Sequence, residues 1–286
     1  MKDLLLKDMT TGKNIIWAAD DYKDFQPTDE IIFDDINLIQ PRFKKVKEQQ
    51  KSRTKKRAEI FTPAWICNLQ NNLIDEKYFG RANVFNVAEG KNWTPTPEKI
   101  PFDNLNWQEY ILQKRLEITC GEAPYLVSRY DAVTGAEIPL ENRIGLLDRK
   151  FRVVNENTET ESDWIDCAIK AVQSCYGYEF QGDNLFLARR NILDTFKDYF
   201  FNRFNKDAEL EILNEVAEII SWNLWQMDGL NFKIPYAKET QESLFDSSAD
   251  NQKIYCLIKD WKTGEILKYK DLLLGGEKKN KKGVNT

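Results

Sequence analysis

The chain has 286 residues, is 42% apolar with eight tryptophans, and carries a formal charge of −5. That is enough apolar chain for one large or two small folded domains, and the acidic balance leaves any DNA binding to a local basic patch. It contains no histidine, which excludes Ser-His-Asp and Cys-His catalysis, HExxH metalloprotease chemistry and the usual histidine-containing metal sites.

The opening "MKDLLLKDMTTG" is too short in its apolar part and too acidic for a signal peptide. No apolar run approaches the roughly 18 residues of a membrane span. The five cysteines are scattered, without a CxxC, which fits reduced thiols. The expectation is a cytoplasmic protein. Short strands are expected at "LLLKD", "NIIWAA" and "EIIFDDI". The stretch 42–57 holds nine Lys or Arg against the single acid Glu48, and reads as helical or loosely ordered. Lys44, Lys45, Lys47, Lys51, Arg53, Lys55, Lys56 and Arg57 are the candidate phosphate contacts, giving salt-dependent, sequence-independent affinity; a solvated helix face is the plainer reading.

A helix is expected from "FTPAWICNLQNNLID", with Thr62 as N-cap and Pro63 at the first helical position. Trp65, Ile66, Leu69 and Leu73 recur there at helical spacing. Residues 78–106 read as loop. "NWQEYILQKR" is a helix feeding the strand "LEITCGEAPYL", residues 127–163 form a long insertion, and "ESDWIDCAIKAVQSCY" is an amphipathic helix before the short strand "YGYEF". Two helices follow, 184–204 and 207–226. The chain closes with "IYCLIKDWKTGEILKYKDLL" and a flexible basic tail, 273–286. This gives three segments: N-terminal strands and basic connector (1–57), an α/β domain (58–272) and the tail.

"KDMTTG", "YDAVTG" and "KDWKTG" share Asp-x-x-Thr-Gly between strand-like flanks. Asp can bond its own following backbone and Gly supplies a positive φ, so three β-hairpin turns of one type are expected.

Alternating strands and helices with acids at strand ends suggest an α/β sheet binding its ligand beyond the strands' carboxyl ends. Glu117 to Gly121, Glu179 and Asp228 occupy such positions. Glu179 could accept both hydroxyls of a ribose, although a helix-initiating acid is the commoner explanation. Asp228-Gly229 could bond an adenine amine, although Asp-Gly is more often a plain turn.

From "RAEIFTPAWICNLQNNLID" onward, over roughly 57–232, the sequence resembles bacterial restriction–modification N6-adenine DNA methyltransferases, the "restriction endonuclease subunit M" group akin to Type IIG and Type I modification subunits. Phe61, Thr62 and Pro63 match the family's "FTP" segment, which contacts the methionine end of S-adenosylmethionine. Thr119, Cys120 and Gly121 resemble its glycine loop, with Glu117 as the loop's leading acid. "GYEFQGDNLFLARRNIL" gives Glu179 the ribose role, and "IISWNLWQMDGL" gives Asp228 the adenine role. The resemblance implies a Rossmann-like S-adenosylmethionine-dependent methyltransferase fold, with hairpins added at both termini. It also implies DNA and a restriction or specificity subunit as partners, in a restriction–modification or phage-defence setting.

Three departures stand out. The family's second loop glycine is replaced by Ala123, followed by Pro124. The separation of Glu117 and Glu179 far exceeds the usual roughly 20 residues. No Asn-Pro-Pro-Tyr or Asp-Pro-Pro-Tyr, the family's methyl-transfer motif for a flipped base, occurs anywhere. Asp260 and Trp261 are the substitute candidates for catalysis, but Asp260 also belongs to the shared turn pattern. The residues after Trp261 are too few to complete such a sheet. The expected function is therefore an S-adenosylmethionine-dependent adenine-N6 methyltransferase-like protein, or else a non-catalytic S-adenosylmethionine- or DNA-binding assembly subunit. A nuclease lacks support, because no convincing PD-(D/E)xK pattern is present.

Overall fold

The structure, a computed structural model, describes residues 1–57, 59–237 and 255–273; the expected tail lies, all but its first residue, outside them. At its centre three parallel strands, β3 (Arg115–Ile118), β4 (Cys175–Glu179) and β5 (Leu224–Gln226), lie side by side in chain order. Register pairs Glu117 with Gly177 and Tyr178 with Trp225. Parallel neighbours need long crossovers. Helices α5 (Leu146–Asn157) and α6 (Glu161–Gln173) lie in the first, and α7 (Gly182–Phe204) and α8 (Leu210–Asn223) in the second. Thr160 caps α6 by accepting from the Asp163 N–H, and Asn205 ends α7 in the left-handed conformation that asparagine tolerates.

Side chains alternate across a strand, and the two faces of the sheet go to different cores. Cys175 and Leu224 join the helical core around Phe151, Trp164, Phe196 and Phe200. Tyr176, Tyr178 and Trp225 join a second cluster with Met227, Ile258 and Tyr269, covered by the antiparallel hairpin β6 (Leu257–Lys259) and β7 (Ile266–Lys268). Leu116 and Ile118 share that face but lie on the outermost strand and stay 43% and 61% exposed.

Several sequence expectations are corrected. "LLLKD" is largely helical, α1 (Lys2–Leu6), and "EIIFDDI" contains a 3-10 segment, Phe33–Leu38. Only isolated bridges, Lys7 to Asn14 and Ile16 to Glu30, represent the N-terminal strands. Nor do residues 1–57 stand apart, because Leu5, Leu6, Ile15, Trp17 and Ile31 belong to the helical core. The fully buried Arg189 guanidinium donates to the carbonyls of Leu5, Lys7 and Leu224, clamping α1 to β5. Gly182 permits the close approach: a Cβ there would sit 2.0 Å from the Ile16 carbonyl oxygen.

The helix expected from Thr62 starts at Ala64 (α3, Ala64–Phe79) with Pro63 in the N-cap position. Its buried side carries Cys67, Asn68, Asn71 and Asp75, while Leu69 and Leu73 are exposed. The reason is the buried Arg149 of α5, which donates to Asp75, Asn68 and Asn72; a buried guanidinium demands polar partners. Residues 78–106 include the hairpin β1 (Asn86–Glu89) and β2 (Asn92–Pro95). The "insertion" supplies α5, buried over most of its length. Helix α4 (Trp107–Leu112) is capped by the Asn106 side chain.

The three turns do share one geometry. Gly12, Gly135 and Gly264 have φ of 75°, 76° and 76°. Each glycine N–H donates to the backbone carbonyl of the Asp four residues earlier, Asp8, Asp131 or Asp260, at 2.7–2.9 Å. Each Asp carboxylate accepts from the backbone N–H groups two and three residues further on.

Candidate functional site

The loop after β3 folds back onto the carboxyl ends of the strands. The Cys120 N–H donates to the Tyr178 carbonyl, extending the pairing. Gly177 makes room, since a Cβ there would lie 3.0 Å from Cys120 Cβ. Gly121 then turns at φ 52° and Ala123 at φ 64°. The alanine standing where the resemblance expects glycine therefore adopts the backbone conformation glycine favours, and is buried there.

Two acids hold this loop. Glu117 accepts from the Tyr125 and Leu126 N–H groups at 3.2 and 3.1 Å. Glu179 accepts from the Gly121 N–H at 2.9 Å and the Gln181 N–H at 3.1 Å. Burial raises both, Glu117 to about 8 and Glu179 to about 7, against the lowering effect of these amides.

A cleft of about 90 Å³ opens here, lined among others by Phe61, Thr62, Glu117, Cys120, Gly121 and Glu179. Six of the eight sequence candidates for the cofactor thus converge on one place. Pro63 and Asp228 do not line it. Asp228 does sit at the carboxyl end of β5, but its carboxylate accepts from the Leu230 N–H and the Asn231 side chain, closing its own turn.

The sequence reading missed Glu59, Gln181 and Asn184, which also line the cleft. Glu59 accepts from the side-chain amides of both Gln181 and Asn184 at 3.0 Å. Burial alone would raise Glu59, but Arg53 and Lys45 outweigh it and hold the acid below its ordinary value. A carboxylate only accepts, so it fixes both amides with their N–H groups turned toward it. The oxygens Gln181 Oε1 and Asn184 Oδ1 are left buried without a partner among the described residues. The signal lay in "QGDN", which begins two residues after Glu179, but nothing in the sequence ties it to Glu59.

This donor set bears directly on S-adenosylmethionine. Two orphaned acceptors fit a ligand rich in donors, such as ribose hydroxyls or an ammonium group. The cleft's volume is below the roughly 300–1,000 Å³ of small-molecule sites, so it matches a fragment of such a cofactor rather than the whole. The lining chemistry fits such a fragment; the volume does not hold the whole cofactor.

The basic stretch is a helix, α2 (Lys47–Arg57), and two of its expected DNA contacts are corrected. Lys45 and Arg53 are buried and paired with Asp183, because α2 is anchored on the start of α7. Lys44, Lys47, Lys51, Lys55 and Lys56 are exposed. Of these, Lys47, Lys51 and Lys55 follow at i, i+4 and i+8 on one helix face and make no ion pair among the described residues. Lys56 and Arg57 lie near Asp20, and Arg57 also lines the cleft.

Asp260 and Trp261 are not brought to the site. Asp260 closes its turn and meets Lys114, and the Trp261 indole N–H donates to Asn223. Lys114 and Asn223 immediately precede β3 and β5, so this pair lies at the amino ends of the strands, opposite the cleft. Comparison of the chain with family models, with curated proteins and with solved structures returned no match.

Proposed function

We propose that the chain is an S-adenosylmethionine-dependent, DNA adenine-N6 methyltransferase-like protein of a restriction–modification or phage-defence system. The observation carrying this reading is the convergence of Phe61, Thr62, Glu117, Cys120, Gly121 and Glu179 on one cleft at the carboxyl ends of β3 and β4. Open α/β sheets bind ligands there. Three parallel strands in chain order also match one half of a doubly wound Rossmann-like sheet.

When bound, S-adenosylmethionine supplies an electrophilic methyl group. The chain's own residues bind and orient it. Gln181 and Asn184 offer acceptors for its donors, Glu59 locks both amides in place, and the Phe61 ring packs against Gly121. The lysine face of α2, next to the Arg57 end of the cleft, attracts the DNA phosphates.

A second reading, a non-catalytic S-adenosylmethionine- or DNA-binding assembly subunit of such a system, is favoured by the position of Asp260 and Trp261 at the wrong end of the sheet. Incubating the full chain with duplex DNA and methyl-labelled S-adenosylmethionine separates the two. Label on adenine N6 supports the enzyme. Cofactor binding without transfer supports the subunit. Neither binding nor transfer overturns both.

A further inference from the structure

A second cavity, of about 400 Å³, lies between the β1–β2 hairpin, the segment Leu140–Asn142, α5 and α7. It shares no lining residue with the cleft at Gly121. We propose that it binds a small neutral planar heterocycle whose edge presents a hydrogen-bond acceptor beside a donor, as a nucleobase does.

The size falls within the roughly 300–1,000 Å³ of small-molecule sites. Phe85 and Trp93 contribute aromatic surface to the lining. Trp93 is steadied by its indole N–H, which donates to the Asn142 carbonyl at 2.8 Å. Phe85 is itself covered by the Arg149 guanidinium, 5.3 Å from its ring centroid, so the half-buried Trp93 offers the face on which a flat ring stacks.

The polar groups select the edge. Asp148 is buried, and its Oδ2 accepts from the Ser128 N–H and hydroxyl and from the Gly145 N–H. Its Oδ1 has no partner among the described residues. Arg143 donates through Nη2 to Asp198, while its Nη1 is likewise buried and unpartnered. Both side chains line the cavity and both are held by their other atoms. Burial raises Asp148 to about 6 against the lowering effect of Arg143 and of the Ser128 and Gly145 donors, yet no ion pair joins it to Arg143 among the described residues. A ligand edge with an acceptor for Arg143 and a donor for Asp148 would satisfy both atoms at once. Tyr199 lies in the same lining.

The charge balance points to a neutral ligand. The lining carries Arg143, Arg149 and Arg152 against Glu141, Asp148 and Glu156. Arg149 is already satisfied by α3, and Arg152 by Glu156 and the carbonyls of Phe85, Thr96 and Glu98. No surplus of positive charge remains for a phosphate. The inference is independent of the cofactor reading.

The test is calorimetric titration of the full chain with adenosine, guanosine, cytidine and uridine, one at a time. Saturable binding of at least one is expected, weakened at least tenfold by Arg143→Gln and by Trp93→Leu and unchanged by Phe61→Ala in the other cleft. Preference for guanosine or uridine would identify a lactam edge, and preference for adenosine or cytidine an amidine edge. Trp93 is only half-buried, so Trp93→Leu keeps the test decisive if Arg143→Gln fails to fold. No binding at millimolar nucleoside, binding that survives a folded Trp93→Leu, or binding lost in Phe61→Ala would overturn the proposal.

Discussion

Arg53 grips Asp183 with two guanidinium nitrogens, Nη1 to Oδ2 at 2.8 Å and Nη2 to Oδ1 at 2.9 Å. Both residues are buried, and Lys45 and the Tyr22 hydroxyl reach the same carboxylate. Burial would raise Asp183, but Lys45 and Arg53 reverse that and hold it far below its ordinary value. This bidentate pair fixes the basic helix to the start of α7 beside the cleft. Asp183→Asn leaves the buried Lys45 ammonium without its carboxylate and Arg53 with Glu59 and Asp21 alone, and breaking such a buried pair costs about 3–5 kcal/mol. Urea denaturation should show a loss of that order; a loss under about 1 kcal/mol would mean the network is not intact in solution.

The exposed lysines should behave oppositely. Replacing Lys47, Lys51 and Lys55 together by Gln should leave stability within about 0.5 kcal/mol per site, as for ordinary surface changes. Their DNA affinity should fall, and the slope of log affinity against log salt should shrink by about one per lost phosphate contact. Fluorescence anisotropy with duplex DNA at several salt concentrations reads both quantities. An unchanged slope would remove this face from the DNA contact.

The strand-end acids give a pH signature. Glu117 is raised in the fold to about 8 and Glu179 to about 7, so the folded state binds protons that the unfolded state has released. Their stabilising contribution is complete below the unfolded value of 4.5 and is lost as pH rises through 7 to 8. Thermal denaturation should show stability falling across that window, less steeply in Glu117→Gln. An identical slope in the variant would show that Glu117 titrates normally.

The shared turn can be tested at its glycines. At φ near +75°, alanine in place of Gly12 or Gly264 meets nothing within 4 Å and should cost about 1–2 kcal/mol, from the backbone alone. In Gly135→Ala the new Cβ would lie 2.3 Å from the Phe43 ring, so its loss should exceed the other two. Equal losses at all three positions would contradict the packing of Phe43 on this turn.

What the sequence made legible follows from local chemistry. The Asp-x-x-Thr-Gly turns, the strand-end acids and the later helices depend on neighbours within a few residues, and the structure contains them. Leu69 and Leu73 misled because the helix that carries them buries its polar side against Arg149, a partner distant in sequence. Lys45 and Arg53 look like their solvent-facing neighbours, and what sets them apart is a shared carboxylate far along the chain, Asp183, joined for Arg53 by Glu59 and Asp21. Motif order picked out six residues that the structure gathers on one cleft. Gln181 and Asn184 stand out only once Glu59 is seen to hold them.

The most direct test of the account is calorimetric titration of S-adenosylmethionine into the wild type, Phe61→Ala and Asp228→Ala. The account predicts micromolar binding to the wild type, at least tenfold weaker in Phe61→Ala and unchanged in Asp228→Ala, whose carboxylate closes its own turn away from the cleft. No detectable binding by the folded wild type would contradict it, and so would binding lost only in Asp228→Ala.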